Sequence, residues 1–209
     1  MFVVMCISYR IPDHLNEEGE LCFKHEKAYF WIDTETRMSD LADFLNTQIR
    51  KQDSQPSLVS VCSLVYNNNK QALGHFIATD LDGIDLPVAV SVAEDLEKKY
   101  RFGGRRMIVS TNAGFHLFIF KLMSFEDMQS LLHDPIIEPY QDPLHTKISE
   151  TRKNLQIRVW DTKFGEENTQ KIVWERGDHA GPNEAEIYYF IRRFITKKGE
   201  GSEEDSLIV

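Results

Sequence analysis

The chain has 209 residues, 42% hydrophobic and 27% charged, with 33 acidic against 24 basic side chains, a net charge of −9 and a pI near 5.3. That length suffices for one core of ordinary size, and the acidic balance excludes a protein whose whole surface adheres to nucleic acid, though not a local basic groove. No apolar run reaches membrane-spanning length, and Met1-Phe-Val-Val-Met-Cys-Ile-Ser8 is too short for a signal-peptide core and lacks a basic leader, so the expected home is cytoplasm, nucleoid or nucleus rather than the secretory route, with no membrane partner.

In chain order, Met38 to Lys51 spaces Leu41, Phe44, Leu45 and Ile49 as a helix does, with Ser39 or Asp40 as cap. Nothing else in residues 1–55 takes a role, and the acids Asp33 and Glu35 have no place. Ser57 to Tyr66 reads as an apolar strand closed by an Asn67-Asn-Asn turn, and His75 to Asp82 is the next strand. Asp85 followed by Pro87 predicts a helix start, with Val88, Ala89, Val92, Ala93 and Leu96 as its buried face and Gly103-Gly104 as its break. Arg106 to Ser110 and Phe115 to Lys121 are two strands around a polar turn, and Ser124 caps a helix to Leu132. A basic, strand-like Leu155-Gln-Ile-Arg-Val-Trp160 comes later, then an amphipathic Glu186 to Phe194. The expected fold is α+β, a mixed central sheet flanked by helices, with one domain over residues 1–196 and an acidic tail, 197–209, expected to be disordered. Cys6, Cys22 and Cys62 are widely spaced with no Cys-x-x-Cys pair, which fits buried thiols rather than a disulfide framework or cysteine zinc site.

The chemistry concentrates between His75 and Phe120. Side chains alternate along a strand, so Asp80 and Asp82 project from one face and Leu81 from the other. Two neighbouring carboxylates suit a divalent cation. The bland readings are a loop-end acid pair, a turn-starting Ser110, a packed core His116, and a solvated helix end for Lys98, Lys99, Arg101, Arg105 and Arg106, whose charges complement the helix dipole. A second basic group comprises Lys147, Arg152, Lys153, Arg158 and Lys163.

The ordered set Ser60-Val-Cys-Ser-Leu-Val-Tyr66, Asp80-Leu-Asp82, an Ala/Val-rich helix and Ser110-Thr-Asn-Ala-Gly-Phe-His116, within Pro56 to Trp174, resembles the catalytic domain of the archaeo-eukaryotic primase and primase-polymerase superfamily. The resemblance implies an RRM-like core and a DNA-templated nucleotidyltransferase, a primase or primer-extending polymerase, in which Asp80 and Asp82 hold two Mg²⁺ or Mn²⁺ ions. It further implies that Ser110 and His116 contact the triphosphate of an incoming NTP or dNTP, with Asn112 and Gly114 in the same motif. For the third acid the sequence context favours Asp142, ahead of the basic strand, over Asp161. Arg158 and Lys163 would then contact nucleotide. Single-stranded template and primer are the implied partners, with a helicase or other replication or repair protein to strengthen the hold on DNA. Tyr100, Phe102 and Trp160 are aromatic candidates for base stacking because they neighbour basic residues.

Two other readings compete. Phe76-Ile-Ala-Thr-Asp80-Leu-Asp82-Gly also resembles the first motif of haloacid-dehalogenase-like phosphatases, which would make Asp80 the nucleophile and Asp82 the acid/base, with Ser110 or Thr111 and Gly177-Asp178 to Asn183-Glu184 as later motifs. Against it, Ile84 stands where that motif has Thr and a long structured segment precedes Asp80. The third reading is a non-catalytic module binding nucleic acid or nucleotide.

Overall fold

The computed structural model describes residues 2–15, 18, 21–32, 55–111, 114–161 and 170–196. The expected helix over Met38–Lys51, the acids Asp33 and Glu35, Asn112, Lys163 and the acidic tail lie outside the described residues. Two long strands, β1 (Phe2–Leu15) and β2 (Leu21–Ile32), open the chain as an antiparallel hairpin. They are followed by β3 (Gln55–Tyr66), β4 (Ala72–Asp82), α1 (Leu86–Tyr100), β5 (Arg105–Ser110), β6 (Gly114–Met123), α2 (Phe125–Leu132) and a 3-10 turn (Glu138–Tyr140). Then come α3 (Pro143–Arg152), β7 (Gln156–Asp161), β8 (Lys171–Arg176) and α4 (Pro182–Thr196).

The chain is therefore α+β. Its strands form one sheet in the order β2-β1-β3-β4-β6-β5-β8, with β7 also paired to β3. Every described pairing is antiparallel, whereas the sequence suggested a sheet of mixed strand direction. β4 and β5 both pair with β6, so they run parallel to each other and are joined by α1. This is a split βαβ unit, in which a third strand lies between the two that the helix connects.

Local chemistry explains the helix ends. The Asp85 carboxylate accepts from the Val88 N–H at 3.1 Å with Pro87 in the first turn, and Ser124 Oγ accepts from the Asp127 N–H at 3.0 Å. α1 stops at Arg101, left-handed at φ 52°, rather than at the Gly103-Gly104 pair that the sequence suggested. Lys98 and Lys99 sit in its last turn, where positive charge is favoured.

Both faces of β4 are covered along its middle, from His75 to Thr79. On one face Ile77 and Leu81 join Ala89, Val92 and Leu96 of α1 and Met128 and Leu131 of α2 in the main core. On the other, Phe76 stacks on Phe120 at 6.2 Å, and Tyr188 of α4 meets Phe120 edge-on at 5.3 Å. A buried polar knot ties the helical side together. Ser63 Oγ lies 3.0 Å from His75 Nδ1, donates to Asn154 Oδ1 at 3.1 Å and accepts from the Leu155 N–H at 3.1 Å. A hydroxyl has one proton, so with Asn154 as its acceptor the His75 Nδ1–H donates to Ser63. Cys62 is a buried thiol in no disulfide, as expected. Among the described residues no helix is long and apolar enough to cross a membrane.

Candidate active site at the end of the central strand

β4 ends with Asp80 and Asp82 on the face opposite the main core, and Gly83, at φ +67°, turns the chain away toward Asp85. β6 lies alongside with Asp80 opposite His116, Leu81 opposite Phe115 and Asp82 opposite Gly114. Directly paired residues of an antiparallel ladder share a face, so Asp80, Asp82 and His116 stand together. His116 is buried and its Nε2 lies 3.5 Å from Asp80 Oδ1, an ion-pair distance when the imidazole is protonated. Its ring meets Phe118 edge-on at 6.4 Å, which fixes it against the apolar floor. The Asp80 side chain keeps 33% of its surface exposed and Asp82 is exposed, so both carboxylates remain reachable.

Gly114 has a steric role. A Cβ at this position would lie 2.1 Å from the Leu81 carbonyl oxygen on β4. Only glycine lets the two strands close here, and that closeness sets His116, two residues on, beside Asp80. The hairpin leading into β6 is tied by the Thr111 N–H donating to the Gly114 carbonyl at 2.9 Å and the Gly114 N–H donating to Thr111 Oγ1 at 3.0 Å. Thr111 was assigned no positioning role from sequence, although a hydroxyl three residues before a strand-opening glycine is a turn-closing signal.

The other expected site residues sit on elements other than β4 and β6. Ser110 pairs with Phe115, which puts it on the core face, opposite to His116, and its hydroxyl donates to the Lys171 carbonyl at 3.3 Å. Asp142 caps α3, accepting from the Leu144 N–H at 2.8 Å with Pro143 in the first turn. Asp161 ends β7. It pairs with Leu58, six residues back from Leu64, the partner of His75, and six residues on from His75 is Leu81. β4 and β7 are both antiparallel to β3, so they run in the same direction and both finish in an acid at the same end of the sheet. Arg158 lies on β7 opposite Ser60, and Trp160 opposite Val59.

The basic run after α1 is largely engaged in packing. Lys99 and Tyr100 both bond to the buried Asp134 carboxylate, which these bonds hold below its ordinary range against the opposing effect of burial. Arg106 is buried, donating to the Ala93 carbonyl at 3.4 Å, and the Arg105 guanidinium lies 4.4 Å over Tyr188. Tyr100 stacks on Phe102 at 5.4 Å, on the helical side rather than beside the acids.

Among the described residues no group of three His, Cys, Asp or Glu side chains forms a ready metal-ligating cluster. The donor set that does converge, two carboxylates on one face, offers hard oxygen ligands of the kind Mg²⁺ and Mn²⁺ take. No protein-family model matches the chain, and no curated protein matches it significantly.

Proposed function

We propose that this protein is a metal-dependent, DNA-templated nucleotidyltransferase of the primase-polymerase kind, built on an RRM-like split βαβ core. The observation that carries the reading is the placing of Asp80, Asp82 and His116 on one face at the end of the unit's first and middle strands. In this reading Asp80 and Asp82 would hold the divalent ions, and Asp161, level with Leu81 at the same end of the sheet, replaces Asp142 as the third acid. When bound, such ions stabilise the charge of in-line α-phosphoryl transfer and activate the attacking 3′-hydroxyl. His116, buried beneath Asp80 with its Nε2 toward that carboxylate, orients it, and contact with the triphosphate of an NTP or dNTP would need the ring to turn out from beneath Asp80. Arg158, three residues before Asp161, is a further candidate for nucleotide contact, with Asn112 and Lys163 alongside it by sequence. Ser110, on the core face and bonded to the Lys171 carbonyl, takes no phosphate contact in this reading. The antiparallel neighbours of β4 weigh against the phosphatase reading, whose nucleophile would end a strand of a parallel α/β sheet.

The test is primer synthesis and primer extension on single-stranded DNA with Mg²⁺ or Mn²⁺. Wild type is expected to give product, and Asp80→Ala/Asp82→Ala to lose at least about 10²-fold. Absence of product in either metal, with intact template and nucleotides, would overturn the proposal and leave the phosphatase and binding-module readings.

A further inference from the structure

We propose that Trp31, Tyr66 and Lys70 form a stacking site for unpaired bases of a single-stranded nucleic acid, at the opposite end of β4 from the acids. The choice of partner rests on the nucleotidyltransferase reading; the site itself does not. Trp31 is 39% exposed and sits 4.9 Å from the Tyr66 ring at an interplanar angle of 58°. The two rings are tilted against each other rather than stacked. The exposed Lys70 reaches over the indole with its Nζ 5.7 Å from the ring centroid.

Lys70 is held there by an unusually well-bonded turn. The Asn67 side-chain carbonyl accepts from the N–H groups of Asn69 and Gln71, both at 2.9 Å, its amide donates to Gln71 Oε1 at 3.0 Å, and the Lys70 N–H donates to the Asn67 carbonyl at 2.9 Å. Lys70 adopts φ 60°, the left-handed region where asparagine or glycine is at home, yet three asparagines occupy the preceding positions. A lysine in that place puts a cation over an aromatic face at a backbone cost that an Asn would lower. Strained, over-determined positions of this kind cluster at ligand sites.

The chemistry fits a base followed by its phosphate. A base stacks on the indole, and the ammonium, moving off the ring, pairs with the adjoining phosphate oxygen. In a chain of net charge −9 a diffuse electrostatic hold on a polyanion is weak, so a stacking contact is the stronger means of attachment. Duplex DNA keeps its base faces stacked internally and does not fit.

The experiment is fluorescence anisotropy of a labelled oligo-dT and of a duplex of equal length, without divalent metal or nucleotide, so that catalysis plays no part. Trp31→Ala is expected to weaken oligo-dT binding about 5- to 150-fold, about 1–3 kcal/mol, Trp31→Phe to retain most of it, and wild type to bind duplex more weakly than oligo-dT. Lys70→Ala should lower the magnitude of the salt slope by about 0.7, one single-strand phosphate. Equal binding by wild type and Trp31→Ala, equal preference for duplex, or an unchanged salt slope in Lys70→Ala overturns the proposal. Trp31-dependent binding in a protein that never incorporates nucleotide keeps the site and sinks the nucleotidyltransferase reading. Extension with Trp31-independent binding does the reverse.

Discussion

Replacing Gly114 by alanine tests whether backbone closeness between β4 and β6 builds the site. The added Cβ would start 2.1 Å from the Leu81 carbonyl oxygen, 3.2 Å from its carbonyl carbon and 3.3 Å from the Asp82 Cα. Those are backbone atoms of a central strand and cannot rotate aside, so the strand ends must part by at least about 0.9 Å to reach the 3.0 Å that real Cβ contacts keep. Overpacking of this kind costs about 1–3 kcal/mol, and each ladder or turn hydrogen bond lost adds about 1 kcal/mol, giving about 2–4 kcal/mol. Gly83→Ala is the control. It lies one residue past Asp82, nothing approaches its Cβ position within 4 Å, and only its φ of +67° is unfavourable, for about 1–2 kcal/mol. Urea denaturation of the three proteins gives the ordering directly. Gly114→Ala within about 0.5 kcal/mol of wild type, or Gly83→Ala costing more than Gly114→Ala, would refute the strand-closure argument.

Asp142→Ala should destabilise by about 1 kcal/mol as a lost N-cap while keeping nucleotide incorporation, and Asp161→Ala should abolish incorporation with little change in melting temperature; the reverse pattern restores Asp142 as the third acid. Ser63→Ala leaves the Leu155 N–H and the His75 Nδ1–H without their acceptor, and thermal or urea melts should show a loss of about 1–3 kcal/mol. Burial holds the His75 imidazole below its ordinary 6.5 despite the raising influence of Glu126, so the unfolded chain takes up a proton first as pH falls and stability declines below that value; His75→Gln should flatten that acid limb in melts taken from pH about 7.5 to 5.5. Hydrogen bonds to Glu150 and Glu138 raise His133, so its stabilisation is present below 6.5 and fades as pH climbs through its higher folded value, a small effect because the side chain is 46% exposed; His133→Gln should remove it, and identical pH profiles for the variants and wild type would refute both assignments.

Local signals in the sequence carried the local structure. Asp85 with Pro87, Ser124, and the apolar spacing of Val92, Ala93 and Leu96 define their helices as expected, because caps and periodicity act over one or two turns. Alternation along β4 correctly put Asp80 and Asp82 on one face. α3 carries the same cap-and-proline signature, Asp142-Pro143, as Asp85 with Pro87, but the helix buries only Ser149, so no apolar stripe drew attention to it and the sequence reading took Asp142 for its carboxylate alone. The β1–β2 hairpin escaped because β2 interleaves Lys24, Glu26 and Lys27 with its apolar residues. Ser110 and His116 looked like one motif, yet the β5–β6 hairpin pairs Ser110 with Phe115 and so sends it to the other face, a parity set by loop length and register.

The histidines show why residue type alone could not assign the chemistry. His75 and His116 are both buried in central strands of the same sheet, and each has a polar partner, at 3.0 Å for His75 and 3.5 Å for His116. His75 faces the helices and meets Ser63, which is in turn bonded to Asn154, so its Nδ1 ends in a chain of neutral groups that suits a neutral imidazole. His116 faces the other way and meets Asp80, a carboxylate with a third of its surface open, at the end of a strand that carries a second acid two residues on. A buried ring beside a reachable carboxylate is an arrangement that a stable core does not require and that functional sites often show. What separates the two histidines is one step of strand parity and the β4–β6 register, which brings together residues 36 positions apart in the chain. The functional reading therefore stands on that register, and any substitution that slips it by one residue would turn His116 into the core and Phe115 toward the acids, leaving the carboxylates in place without their partner.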